Sequence, residues 1–302
     1  MKPSILVTGG TGFLGKKFIT FLKKKKKIQI YSLSKKKINK KFQQKNVKYI
    51  FCDILNKKQL KKKLCHKYNY IINFAGHINH KEFKKTYETH YLGLKNLVDH
   101  FEDKKIDKFI QIGSSVEYGF LKSPQKEKKF INIKMLNSTY GKSKLLSTEY
   151  IMKKFRENNF PAIVLRPYLV YGPGQNSDRL IPITILNCLK DYSFDCSSGE
   201  QIRNFIFVDD FVKIVYQCLF SKITGQIFNI GSTKNYKVKF VINKINNLIG
   251  MGKPLYGKIR MRKDEPLNLY PSLQKIKKKF SIKKETSILN GLKKTITYYK
   301  LI

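Results

Sequence analysis

The stretch Ile5-Leu-Val-Thr-Gly-Gly-Thr-Gly-Phe-Leu-Gly15 decides how this chain is read. A short β-rich apolar run enters three glycines, Gly9, Gly12 and Gly15, and leaves into a segment with helical spacing at Phe18, Phe21 and Leu22. The pattern predicts a strand, a tight turn and a helix N-terminus. Only where no Cβ intervenes and φ may be positive can a phosphate reach the backbone N–H groups of such a turn. The free amides and the positive end of the helix dipole then hold the anion, and Gly15 lets the helix lie close on the strand.

Composition bounds the rest. A chain of 302 residues, 41% hydrophobic, can bury a sizeable core in one large domain or two. No apolar run approaches the roughly 18 residues of a membrane span, and no signal-peptide pattern precedes the first strand, so the expectation is a cytoplasmic protein. The five cysteines, Cys52, Cys65, Cys188, Cys196 and Cys218, contain no Cys-x-x-Cys and fit reduced thiols rather than disulfides or a zinc site. The net charge of +42 would ordinarily point to nucleic acid. Yet 56 of the 62 basic residues are lysine and six are arginine, spread in runs such as Lys61 to Lys63. Base and phosphate recognition favours arginine forks in defined places, so no specific nucleic-acid partner is expected.

Further along, short apolar strands are predicted at Ile28–Leu33, Tyr49–Phe51, Tyr70–Phe74, Phe109–Gly113 and Ala162–Leu165, alternating with helical patterns such as Phe83–Phe101. That alternation argues for an α/β fold with a parallel sheet covered on both faces. Five Tyr-x-x-x-Lys pairs occur: Tyr31/Lys35, Tyr91/Lys95, Tyr118/Lys122, Tyr140/Lys144 and Tyr150/Lys154. A phenol and an ammonium four apart on a helix share one face, and the ammonium favours the phenolate, so such a pair can run acid/base chemistry near neutral pH. In a chain this rich in lysine the spacing alone selects none of them.

Context does. The glycine spacing Gly9, Gly12, Gly15 after Thr8, the serine strand end Ser114-Ser115-Val116-Glu117-Tyr118-Gly119, and Tyr140-Gly-Lys-Ser-Lys144 22 residues past Tyr118 together resemble the extended short-chain dehydrogenases/reductases, the NAD-dependent epimerase/dehydratase family. The likeness continues through Arg166 to Gly174 and Gly199 to Asp210, with looser closing segments at Arg262–Pro266 and Ser287–Tyr299. It implies a Rossmann-type doubly wound parallel sheet in residues 1–166 and a smaller C-terminal substrate-binding lobe, interleaved with the first, in residues 167–302. It implies NAD(P) held by Gly9, Thr11, Gly12, Phe13, Leu14 and Gly15, with Ser34, Lys35, Asp53 and Ile54 near the adenosine and Ala75, Gly76, Tyr140, Lys144 and Pro167 towards the nicotinamide. The second strand ends in Ser34-Lys35-Lys36-Lys37 with no acid, which weighs towards NADP. A surface-loop aspartate would look the same as Asp53, and His77 and His80 read as solvated loop histidines.

By the same resemblance Ser114, Tyr140 and Lys144 form the catalytic set, and Ser115 and Arg203 face a nucleotide-sugar substrate. The alternative for Arg203 is a surface pair with Glu200 or Asp209. Family members that run 4,6-dehydration usually carry acids directly after the catalytic Thr or Ser; here Ser115 and Val116 stand there, with Glu117 one place along. The implied activity is hydride transfer at C4 of a nucleotide-linked hexose, by a 4-ketoreductase or 4-epimerase serving surface-polysaccharide synthesis. The alternatives are a 4,6-dehydratase or a non-catalytic nucleotide- or RNA-binding protein on the same fold. Family precedent implies a homodimer. Two departures stand out: His90 and Leu169 replace residues that are usually Asn.

Overall fold

The computed structural model describes all residues except 1, 26, 128–130, 262–264, 283, 284 and 302. Arg262 therefore lies outside the described residues. The strands are β1 (Ser4–Thr8), β2 (Gln29–Ser34), β3 (Val47–Phe51), β4 (Tyr70–Asn73), β5 (Lys108–Ile112), β6 (Ala162–Pro167), β7 (Leu169–Tyr171), β8 (Ser193–Asp195), β9 (Ile202–Phe207), β10 (Gln226–Ile230), β11 (Asn235–Lys237), β12 (Lys253–Leu255) and β13 (Asn268–Leu269). The helices are α1 (Phe13–Lys23), α2 (Lys57–Lys63), α3 (Phe83–Tyr87), α4 (Gly93–Phe101), α5 (Thr139–Asn158), α6 (Leu180–Leu189), α7 (Val208–Leu219), α8 (Val238–Ile249), α9 (Gln274–Lys279) and α10 (Ile288–Lys300).

Two compact units result. The first comprises residues 1–119, 127–166 and 212–228, the second residues 120–126, 167–211 and 229–302. A seven-stranded parallel sheet in the order β10-β6-β5-β4-β1-β2-β3 carries the first unit. All five residues of β1 are buried, as a central parallel strand covered on both faces requires. One face packs Leu6, Ile71 and Phe109 with Leu94, Leu97 and Phe101 of α4 and Ile151 of α5. The chain runs outward from β1 to β2 and β3, then returns to β4, so the direction of winding reverses between β1 and β4. In open α/β sheets the crevice at that reversal, outside the carboxyl ends of the strands, is where ligands bind.

The helix expected over Phe83–Phe101 is three pieces: α3, a π-helical turn at Glu88–Leu92, and α4. The wider turn carries His90, whose carbonyl accepts a 2.7 Å bond from the Ser147 hydroxyl of α5. A side chain at Gly93 would meet Ile54 Cδ1 at 2.5 Å, so the glycine lets α4 close on the loop after β3.

The second unit is built on β9, flanked by β7, β11 and β13, under a core of Ile181, Ile185, Phe205, Phe207, Val241, Ile245, Leu292 and Ile296. Strands β8 and β12 pair separately. Leu169, in the usual place of an asparagine, packs against this apolar cluster.

Candidate active site

The three glycines of the opening stretch each answer a different steric demand. Gly9 has φ +65°, and a Cβ there would lie 2.8 Å from the backbone of Phe74 and Ala75. Gly15 would place its Cβ 2.3 Å from the Gly9 carbonyl, which is how tightly α1 sits on the turn. Gly12 is exposed and N-caps α1 with no side-chain bond to the helix end. The amides of Phe13, Leu14 and Gly15 therefore have no intrahelical acceptor, and the turn presents them with the positive end of the dipole. Thr11 sits half-buried beside them. A turn drawn this tight by glycines, with free amides at the head of α1, fits a pyrophosphate.

Behind this turn lies a buried polar ladder that sequence reasoning missed. The Thr8 hydroxyl donates to Asn73 Oδ1, Asn73 Nδ2 donates to Gln111 Oε1 at 2.8 Å, and the Ala75 amide donates to Asn73 Oδ1 at 3.1 Å. It crosses β1, β4 and β5 and fixes Ala75 and Gly76 at the exit of β4. Its only trace in the sequence is a polar residue at the end of each apolar strand.

At the end of β2, Ser34 is buried and donates to the Lys36 carbonyl, while the Lys35 ammonium lies 2.7 Å from Asp53 Oδ2. Asp53 Oδ1 accepts from the Leu55 amide, and Ile54 is buried. The four residues expected near the adenosine thus gather at one end of β2 and β3, with the side chain of Lys35 68% exposed.

Ser114 follows β5 and N-caps a short 3-10 turn, Ser115–Tyr118, in a capping box with Glu117. Gly141, in the first turn of α5, would bring a Cβ within 3.2 Å of the Val116 carbonyl, so α5 starts directly against that turn. Tyr140 and Lys144 are thereby set beside the Ser114 turn. Ser115 is buried. The Lys144 amine donates to the Ile112 carbonyl at 2.7 Å and lies 5.9 Å from the centroid of the Tyr140 ring. Burial pushes this amine down to about 8, opposed by the Glu117 carboxylate. The other pairs have different surroundings: Tyr31 is buried in the sheet, Tyr118 lies under the Arg166 guanidinium, Tyr150 donates to Asp99, and Tyr91 packs on Tyr87 and Tyr150.

The histidines are not the solvated loop residues expected. The His80 ring stacks on Tyr140 at 3.8 Å with 12° between planes, and His90 meets the same ring edge-on at 5.0 Å. His77 reaches Glu82 at 3.3 Å. Burial, reinforced by Lys144, holds His90 well below the usual imidazole range, so it is neutral. Among the described residues no group of three or more His, Cys, Asp or Glu side chains could hold a metal ion.

Pro167 ends β6. In the second unit Arg203 is 3% exposed on β9; its Nη1 donates to the Ile202 and Leu267 carbonyls and its Nη2 pairs with Glu265. Its carboxylate partner is thus neither Glu200, which binds Lys237, nor Asp209. Among the described residues no helix is long and apolar enough to cross a membrane. All five cysteines are free, with Cys65 alone exposed.

Known proteins share this architecture. Human dTDP-D-glucose 4,6-dehydratase is 26% identical over 98% of this chain and 89% of its own length. UDP-glucuronic acid 4-epimerase from Bacillus cereus, solved with UDP-glucuronic acid and NAD, superposes with a TM-score of 0.87 at 23% identity, covering 99% of each chain. dTDP-glucose 4,6-dehydratase from Bacillus anthracis, solved with NAD, gives 0.87 at 22% identity, covering 99% of this chain and 97% of that one. The family model for the NAD dependent epimerase/dehydratase family matches residues 5–231, well over half the chain and all of the glycine turn and the Ser114, Tyr140 and Lys144 positions, and the chain belongs to that family.

Proposed function

We propose that the protein is an NAD(P)-dependent enzyme acting on a nucleotide-linked hexose by hydride transfer at C4, as a 4-ketoreductase or 4-epimerase. Support comes from one arrangement above all: Tyr140 and Lys144 stand in the first turns of α5 against the Ser114 turn, while no acid occupies positions 115 and 116. The Tyr140 phenol moves the proton of the C4 oxygen, Ser114 hydrogen-bonds that oxygen, and Lys144 supplies positive charge and anchors ribose hydroxyls. A bound nicotinamide would take up or return the hydride. Glu117, the acid that kept dehydration open, is fully buried and bonded to Arg166, Thr148 and the Ser114 amide. That argues against 4,6-dehydration, the activity named for several relatives.

The glycine turn and α1 hold the pyrophosphate, Ser34, Lys35, Asp53 and Ile54 the adenosine side, and Ala75, Gly76 and Pro167 the nicotinamide side. Lys35 favours NADP, since an exposed ammonium can exchange Asp53 for a 2′-phosphate. Residues 167–302 serve mainly the substrate: Ser115 meets the sugar, and Arg203 grips the diphosphate, whose oxygens must displace Glu265. The working form is a homodimer in the cytoplasm, feeding surface-polysaccharide synthesis.

Purified protein is mixed with NADPH or NADH and a panel of nucleotide 4-keto-6-deoxyhexoses while the absorbance of the reduced cofactor is followed. A reductase consumes cofactor stoichiometrically; an epimerase carries it tightly bound and needs none added. Tyr140→Phe is expected to lower kcat by about 10²–10⁴-fold. Unchanged turnover in that variant would remove Tyr140 from the chemistry.

A further inference from the structure

We infer that Glu117 is a positioning residue that ties the Ser114 turn to the stretch of α5 carrying Lys144 and sets the charge around that stretch. This rests on the reading of Ser114, Tyr140 and Lys144 as the reacting set.

Glu117 is 0% exposed, a costly place for a carboxylate unless every lone pair is used. Here its partners come from three separate elements. Oε1 accepts from the Ser114 amide at 2.8 Å, and Oε2 accepts from the Thr148 hydroxyl of α5 and from Arg166 Nε of β6, each at 2.7 Å. Gly113 admits the carboxylate, since a Cβ there would lie 2.4 Å from Oε1. Thr148 stands one turn beyond Lys144 on the same helical face, so the carboxylate fixes the stretch of α5 that carries the amine.

The charges facing this carboxylate are those of Arg166 from β6 and of Lys144 and Glu149 from α5, with the phenol of Tyr118 in its own turn. Burial drives the Lys144 amine towards the neutral form, and Glu117 opposes it. Glu149 is pushed up by burial and by Glu117, with the Arg166 guanidinium opposing. A neutral amine would still donate to the Ile112 carbonyl, but it would lose the charge that favours an anionic phenol and a pyrophosphate-bearing ligand.

Calorimetric titration with NADH between pH 6 and 9.5 tests this. In the wild type, affinity is expected to fall as pH rises through about 8, where the amine loses its proton. Lys144→Met abolishes that fall. Glu117→Gln moves its midpoint to lower pH and weakens NADH several-fold at pH 8, whereas Glu117→Asp, which keeps the charge, leaves the midpoint in place. Should Glu117→Gln fail to fold with Arg166 left beside a neutral amide, Glu117→Gln with Arg166→Gln supplies a neutral pair and is expected to show a smaller downward shift, because the Arg166 cation leaves with the carboxylate. An unmoved midpoint in the folded Gln variant overturns the inference while leaving the catalytic set intact. A fall that persists in Lys144→Met overturns the placement of Lys144 itself, and the inference with it.

Discussion

Gly76→Ala sets two opposed effects against each other. The φ of Gly76 lies outside the left-handed region, so a methyl group costs the backbone nothing there and, by restricting the unfolded chain, would alone add about 0.4–1 kcal/mol of stability. Its Cβ, however, would lie 2.4 Å from His90 Cε1, 3.1 Å from Nδ1 and 3.3 Å from Nε2. The obstacle is a ring rather than a flexible tip. His90 is buried, its Nε2 lies 3.2 Å from both the amide and the carbonyl of His77, and its far side abuts Tyr140. Overpacking of that kind costs about 1–3 kcal/mol, so the clash wins and a net loss of roughly 1–2 kcal/mol is expected. Urea unfolding followed by far-UV circular dichroism measures it, as a lower midpoint at unchanged slope. In a His90→Ala background the methyl has room, and the cycle should show a coupling equal to the clash, about 1–3 kcal/mol. If Gly76→Ala costs as much without the imidazole as with it, the close approach of His90 is not the cause.

Three further outcomes are expected. The drop of the Lys144 amine from 10.5 to about 8 means that its burial costs about 3 kcal/mol at pH 7. That cost is complete below pH 8 and fades as pH rises towards 10.5. Lys144→Met takes one donor from the Ile112 carbonyl at about 0.5–1.5 kcal/mol but leaves it the Gln111 Nε2 bond at 3.0 Å, so it should be roughly 1.5–2.5 kcal/mol more stable than wild type at pH 7, a gap in Tm that closes by pH 10. Lys35→Glu should change stability by no more than about 1 kcal/mol, because the Asp53 pair is solvated, yet weaken NADPH relative to NADH by about tenfold or more in competitive titration. A thiol reagent should modify Cys65 rapidly in the native protein and the other four cysteines only on unfolding, as mass spectrometry of the labelled peptides can show.

Much of the fold was legible because its signals are local. The glycine turn, the apolar strands and the α5 N-terminus depend on neighbours within a few residues, and strand ends fell within one or two positions of expectation: Ile28–Leu33 is β2 at Gln29–Ser34, and Phe109–Gly113 is β5 at Lys108–Ile112. What escaped was set by contacts distant in sequence. The π turn at Glu88–Leu92 keeps the helical period nearly intact, so spacing could not reveal it. Glu117 looked like a candidate acid for the cleft because its partners, Thr148 and Arg166, lie 31 and 49 residues away. The stacking of His80 on Tyr140 spans a loop and a helix start that no pattern links. Arg203 was expected to face the substrate, with nearby Glu200 or Asp209 as the alternative partners, and its pairing with Glu265 came from a loop more than sixty residues on.

The route of the chain between the two units carries a consequence for how such a protein can change. Following residues 1–119, 120–126, 127–166, 167–211, 212–228 and 229–302, the backbone passes from one unit to the other five times. No single recombination event in the gene can graft a foreign second unit onto this first one, as it could were the two strung end to end. New preferences are therefore acquired segment by segment within 120–126, 167–211 and 229–302, and truncation after residue 211 removes β10 from the first unit's sheet together with β11, β12 and β13.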